Sequence, residues 1–196
     1  MSLSKYSHLE NLYFIAIVPP ADIQDEITKL KDEIAEKYGS KHALRSPPHI
    51  TLHMPFKWKD KRYDELEGVI RQLNENFEPF EVALKDFDFF ESRVVFVNVL
   101  ENEVLNQLQK RVVETCRKQL NLDNSNYRNR PFHPHVTIGF RDLKKPMFYE
   151  AKKVFERRVF SCEFRVSRVV LLKHDGSRWR LVPFQLRPSQ VVTLIS

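Results

Sequence analysis

Apolar positions change their period several times along the chain, and each change marks an element. Tyr13 to Val18 is a continuous apolar run closed by Pro19-Pro20, which predicts a buried strand. Asp22 is placed to cap a helix on which Ile23, Ile27, Leu30 and Ile34 recur at helical spacing, fading near Gly39. Ile50 and Leu52 flank Thr51 in a short strand behind Pro47-Pro48. Leu66, Val69, Ile70 and Leu73 mark a second helix. Phe80 to Phe87 alternates as a strand, and Val94 to Leu100 reads as another. Phe87, Phe89 and Phe90 are expected in the core. A third helix carries Val104, Leu105, Leu108, Val112 and Cys116. A polar loop, Asn121 to Arg130, leads to a strand from His135 to Phe140, and a fourth helix spans Met147 to Glu156. Phe160 to Leu172 reads as one long strand. Asp175-Gly176 signals a turn, and Trp179 to Leu186 closes a hairpin. The tail, Val191 to Ile195, is apolar enough to predict that it packs.

Strands alternating with helices, with hairpins late in the chain, indicate an α+β or mixed α/β fold. At 196 residues, of which 42% are hydrophobic, the chain suits one domain, whole or in two lobes, running over 1–196. It divides into two similar halves, each with a helix after its first strand and each with the same pentapeptide.

That pentapeptide is Pro48-His49-Ile50-Thr51-Leu52 in the first half and Pro134-His135-Val136-Thr137-Ile138 in the second. In a strand, residues two apart share a face. His49 and Thr51 therefore point one way and Ile50 and Leu52 the other; His135 and Thr137 are set against Val136 and Ile138 in the same manner. The aliphatic pairs anchor each strand in a core and leave the polar pairs facing a cleft. A pseudo-twofold axis between the halves would bring both pairs together. Such a site suits metal-independent phosphoryl chemistry. One neutral imidazole accepts a proton while the other, protonated, donates one to a leaving oxygen. The threonine hydroxyls are able to donate to phosphate oxygens.

With these two motifs in this order, the sequence resembles the two-histidine phosphoesterase superfamily, and in particular its 2′-5′ RNA ligase and cyclic phosphodiesterase group. The likeness runs from the Tyr13 strand to the Trp179 strand. It implies two pseudo-symmetric lobes of antiparallel-rich sheet, with outer helices, around a central cleft. It implies opening of 2′,3′-cyclic phosphates, or cutting and joining of 2′-5′ linkages, with no cofactor and no metal. His49 and His135 would be the acid–base pair, and Thr51 and Thr137 the phosphate ligands. Many relatives carry a basic residue straight after the first motif. Here it is His53, which regular alternation would turn to the His49 face as a further phosphate contact. Relatives often carry arginine two residues past the second motif. Phe140 stands there, and a regular strand would return the next residue, Arg141, to the His135 face.

Composition narrows the partners. The formal net charge is +6 and the isoelectric point about 9.3, which favours anionic partners such as RNA or a nucleotide cyclic phosphate. With four glycines the chain has no glycine-rich phosphate loop. Its two cysteines, Cys116 and Cys162, read as reduced core thiols. The start, Met1 to His8, lacks an apolar signal core, and no stretch is apolar over the roughly 18 residues a membrane span needs. A cytoplasmic monomer that meets no membrane is the expectation.

Two other readings stand beside the enzyme. Arg45, Arg128 and Arg130 precede the motifs, while Lys57, Lys59, Lys61 and Arg62 follow the first, a distribution that also fits an RNA-binding protein of this fold without chemistry. Phe56 and Trp58 interleave with the lysines as base-stacking residues would, or serve as core and loop anchor. Arg93 opens a strand within reach of a cleft. Finally, His49, His53, His133 and His135 would suit a metallohydrolase if they converged.

Overall fold

Strand β1 (Glu10–Ile17) is the middle of the first half, because both of its faces are apolar. The computed structural model describes residues 10–75, 77–124 and 131–183. Tyr13, Ile15 and Ile17 point into the main core, while Phe14 and Ala16 form a smaller cluster with Leu172 on the opposite face. β1 leads through Pro19-Pro20 into α1 (Ala21–Tyr38), which buries Ile23, Ile27, Leu30 and Ile34 as their spacing requires. Gly39, at φ 76, ends it in the left-handed conformation that glycine adopts without strain. Asp22 does not cap this helix. The helix starts at Ala21, so Pro20 takes the cap position, and Asp22 sits in the first turn, where its charge still favours the helix dipole.

A 3-10 turn (His42–Arg45) and Pro47-Pro48 then lead into β2 (Ile50–Lys59) and α2 (Tyr63–Asn74). The second half follows the same order. β3 (Phe80–Phe90) and β4 (Val94–Val99) form a hairpin, and α3 (Glu103–Leu120), β5 (His135–Gly139) and α4 (Lys145–Phe155) come next. The Asn102 side chain caps α3 by accepting the Leu105 N–H at 2.9 Å. β6 (Ser161–Val166), β7 (Val170–His174) and β8 (Trp179–Leu181) complete the described chain.

The strands form two antiparallel four-stranded sheets, β2-β1-β7-β8 and β5-β4-β3-β6, with four helices among the described residues. The fold is α+β, as the alternation of elements implied. The expected long strand from Phe160 to Leu172 is two strands in different sheets. β6 pairs with β3, and the chain then crosses at Ser167–Val169 so that β7 pairs with β1. Asn74, at the end of α2, secures the crossing. Its amide donates to the Val169 carbonyl and its carbonyl accepts the Val169 N–H, at 2.9 and 2.8 Å. The break coincides with a slip in the alternation, where the exposed polar pair Ser167-Arg168 stands between the buried Val166 and Val169.

The halves also exchange helices: α1 packs against β5, and α3 packs against β2. Gly139 permits the first contact, since a Cβ there would lie 2.9 Å from Ile34 Cγ2. In the second, the buried Gln109 amide donates to the Leu52 carbonyl at 3.4 Å. A single apolar core consequently runs beneath both sheets and leaves their other faces to the site. No helix among the described residues is long and apolar enough to cross a membrane. Met1 to His8, Arg128, Arg130, the last residues of the hairpin expected to reach Leu186, and the Val191 to Ile195 tail lie outside the described residues.

Replacing Asn74 with alanine removes both bonds at the sheet-to-sheet crossing. Asn74→Ala is expected to destabilise the fold by about 1–3 kcal/mol, read from the urea midpoint, with the far-ultraviolet spectrum retained.

Candidate active site

Both motif strands are sheet edges, and they lie against one another. His49 immediately precedes β2, and His135 opens β5. The two strands share a further irregularity. Ala16 faces Thr51 and Ile15 faces His53, so β2 carries one extra residue at Leu52. Phe96 faces Thr137 and Val95 faces Gly139, so β5 carries one extra residue at Ile138. A bulge thus follows the threonine in both motifs and turns the next residue to the other face.

This corrects the expectation for His53. Paired with Ile15, it faces the main core; it is 1% exposed, its ring lies 5.3 Å from that of Phe56, and its Nδ1–H donates to the Met54 carbonyl. It is not part of the His49 face, and the four-histidine arrangement does not form. Among the described residues, no group of three or more His, Cys, Asp or Glu side chains is placed to hold a metal ion. Arg141 also departs from strand alternation. β5 ends at Gly139, and Arg141 takes φ 56 while the Asp142 carboxylate accepts the Ser40 hydroxyl and the Lys41 N–H. The exposed Arg141 guanidinium lies over the Phe140 ring and 3.4 Å from His42 Nε2, not on the His135 strand face.

The two catalytic candidates are held alike. His49 Nδ1 lies 2.7 Å from the Pro47 carbonyl, and His135 Nδ1 lies 2.8 Å from the His133 carbonyl. A carbonyl only accepts, so each Nδ1 carries the hydrogen and each neutral ring has its lone pair at Nε2. An aromatic floor supports each ring. Phe14 lies 4.7 Å from His49, and Phe96 and Phe90 lie 4.9 and 5.0 Å from His135. Thr51 and Thr137 are half-buried on the same faces, and neither hydroxyl has a hydrogen-bond partner among the described residues.

Both imidazoles resist protonation. Burial pushes His49 down to about 4, outweighing the Pro47 bond, and the charges of Lys31 and His135 add to the depression. Burial also lowers His135, opposed by its bond to His133 and assisted by the charge of His133. The charge of His135 is among those that act on His49, in keeping with edge strands that lie against one another.

Lys31 was not anticipated as a site residue. It is 2% exposed, and its Nζ donates to the Ala43 and Ser46 carbonyls at 3.1 and 3.0 Å, bracing the segment that delivers His49. A lysine four residues after Ile27, on the apolar stripe of α1, was the available signal. Phe90, expected in the core, is 38% exposed beside His135. Phe56 and Trp58 are buried, with the Trp58 indole donating to the Arg62 carbonyl, so they serve as core and anchor and not as stacking platforms. Cys116 and Cys162 are unpaired, and burial raises their thiols to about 12 and 11, far from the reactive range.

The depressed His49 predicts a pH response. The unfolded imidazole titrates near ~6.5, so the unfolded chain binds the proton more readily. The stabilisation is therefore present above ~6.5 and is lost as pH falls toward about 4. The urea midpoint of the wild type is expected to fall across this window, and that of His49→Asn to fall less; equal falls would contradict the assignment.

A model of the 2′-5′ RNA ligase superfamily matches residues 19–178. A Geobacillus sp. strain WCH70 protein named "Putative phosphoesterase" is 32% identical over 133 residues, covering 67% of this chain and 69% of that protein. One of the same description from Geobacillus kaustophilus is 30% identical over 136 residues, with the same two coverages. The crystal structure of Escherichia coli LigT complexed with 3′-AMP superposes with a TM-score of 0.63 at 21% identity, covering 90% of this chain and 97% of that one. A Thermus thermophilus structure gives 0.63 at 16% identity, covering 88% and 95%. These two structures share the fold. With a family model that spans most of its length and both motifs, the chain belongs to the 2′-5′ RNA ligase superfamily.

Proposed function

We propose that the chain is a phosphoesterase acting on 2′,3′-cyclic phosphates, or on the 2′-5′ phosphodiesters of RNA, through His49 and His135. One observation carries this reading: two imidazoles on adjoining edge strands, each bound through Nδ1–H to the carbonyl two residues earlier, both present a free Nε2. Membership of the superfamily supports it. A nucleoside 3′-phosphate is also what remains when the phosphorus–O2′ bond of a 2′,3′-cyclic phosphate is hydrolysed, and LigT has been crystallised with 3′-AMP.

On a cyclic phosphate, His49 Nε2 takes a proton from water as the water oxygen bonds to phosphorus. The bond from phosphorus to O2′ or O3′ breaks, and that oxygen receives the proton from His135 Nε2. His49 suits the base, since burial and Lys31 disfavour its imidazolium. His135 suits the acid because an anionic phosphodiester beside it restores its proton affinity. Thr51 and Thr137 donate to the non-bridging oxygens, where charge accumulates in the transition state. In the reverse direction the two histidines exchange roles. No step requires a metal. The unpaired thiols are in keeping with a cytoplasmic location.

Hydrolysis of a 2′,3′-cyclic mononucleotide in the presence of EDTA tests the reading. Wild type is expected to turn over. His49→Ala and His135→Ala are each expected to lose about a hundredfold or more, with unchanged circular dichroism. Wild-type-like turnover by either variant would contradict it.

A further inference from the structure

Beside the His49 strand lies a cavity of about 350 Å³ that the two-histidine chemistry does not use. Its walls are the early turns of α1, the segment from Leu44 to Pro48, and β8 with the turn before it. Lys31, Arg45, Arg178 and Trp179 line it, together with Asp25, the one carboxylate among the lining residues. Arg180 lines it too, but its Nε is paired with Asp175 at 3.0 Å. Neither Arg45 nor Arg178 has an ion-pair partner among the described residues, and both are exposed. Lys31 spends two donors on carbonyls, and its ammonium form has a third to offer.

The cavity adjoins the site. The Trp179 ring lies 4.5 Å from that of Phe14, on the face where Phe14 lies 4.7 Å beneath His49. We propose that this cavity is a second phosphate subsite, in which Arg45, Arg178 and Lys31 receive an anionic phosphate and Trp179 flanks the attached group. Its place in substrate recognition rests on the function proposed above. Two unpaired guanidiniums at the mouth of a cavity with a buried ammonium match a phosphate's charge and its several acceptors. Because Ser46 and Pro47 line the cavity and their carbonyls hold Lys31 and His49, an occupant braces the segment that presents the base. The phosphate comes either from the neighbouring nucleotide of a bound chain or from a free anion.

The indole N–H signal of Trp179, distinguished from Trp58 by Trp58→Phe, reports occupancy without requiring turnover. Titration with inorganic phosphate and with triuridylate is expected to give a saturable shift. The shift should survive in His49→Ala/His135→Ala and weaken about tenfold or more in Arg45→Ala/Arg178→Ala. Tighter binding of triuridylate assigns the subsite to a neighbouring nucleotide, and a response to phosphate alone assigns it to a free anion. No shift with either probe, a shift unaffected by the arginine substitutions, or one abolished by the histidine substitutions would overturn the proposal. Failure of the wild type to open a cyclic phosphate would contradict the proposed function while leaving this signal unchanged.

Discussion

An imidazole moves a proton usefully only if one nitrogen is committed and the other is aimed. Here the commitment is the bond from Nδ1–H to the carbonyl two residues upstream, made at 2.7 Å by His49 and at 2.8 Å by His135. The bond sets the tautomer, and with the aromatic rings packed alongside it limits ring rotation. A proline before each histidine biases the preceding backbone toward an extended conformation, bringing that carbonyl within reach. The rest of the fold places these two units on strands that lie against one another. Motif strands at sheet edges let them meet, and the exchanged packing of α1 on β5 and α3 on β2 holds each edge from the other half.

Burial brings an electrostatic consequence. Removing the rings from water favours their neutral forms. Under the proposed function, the charge of an anionic substrate raises the proton affinity of the nearer imidazole. Lys31 gives the pair its asymmetry. Burial pushes its ammonium down to about 7, and whenever it is charged it opposes protonation of His49, while no lysine among the described residues acts on His135 in this way.

Much of this was legible in the residues. The repeated pentapeptide located both histidines and both threonines, and the helix stripes located α1 to α4. What alternation could not convey were the places where backbone hydrogen bonding departs from regularity. The bulge at Leu52 moves His53 into the core, and the end of β5 at Gly139 frees Arg141 to turn toward His42. Both expectations assumed an unbroken strand. The Phe160 to Leu172 run failed for a related reason: the slip of alternation at Ser167-Arg168 marks the place where the chain leaves one sheet for the other. Lys31 and Phe90 acquire their meaning only from tertiary contacts, the first with the carbonyls of the His49 segment and the second with the His135 ring.

The claim at the centre is that both motifs act on one phosphate through their Nε2 atoms. The most direct measurement is a crystal structure of the protein with a nucleoside 3′-monophosphate. Both Nε2 atoms, and the hydroxyls of Thr51 and Thr137, are expected at about 2.7–3.2 Å from oxygens of the same phosphate, with both Nδ1 bonds retained. A phosphate held by one motif alone, or contacted through Nδ1 after either backbone bond has broken, would contradict it.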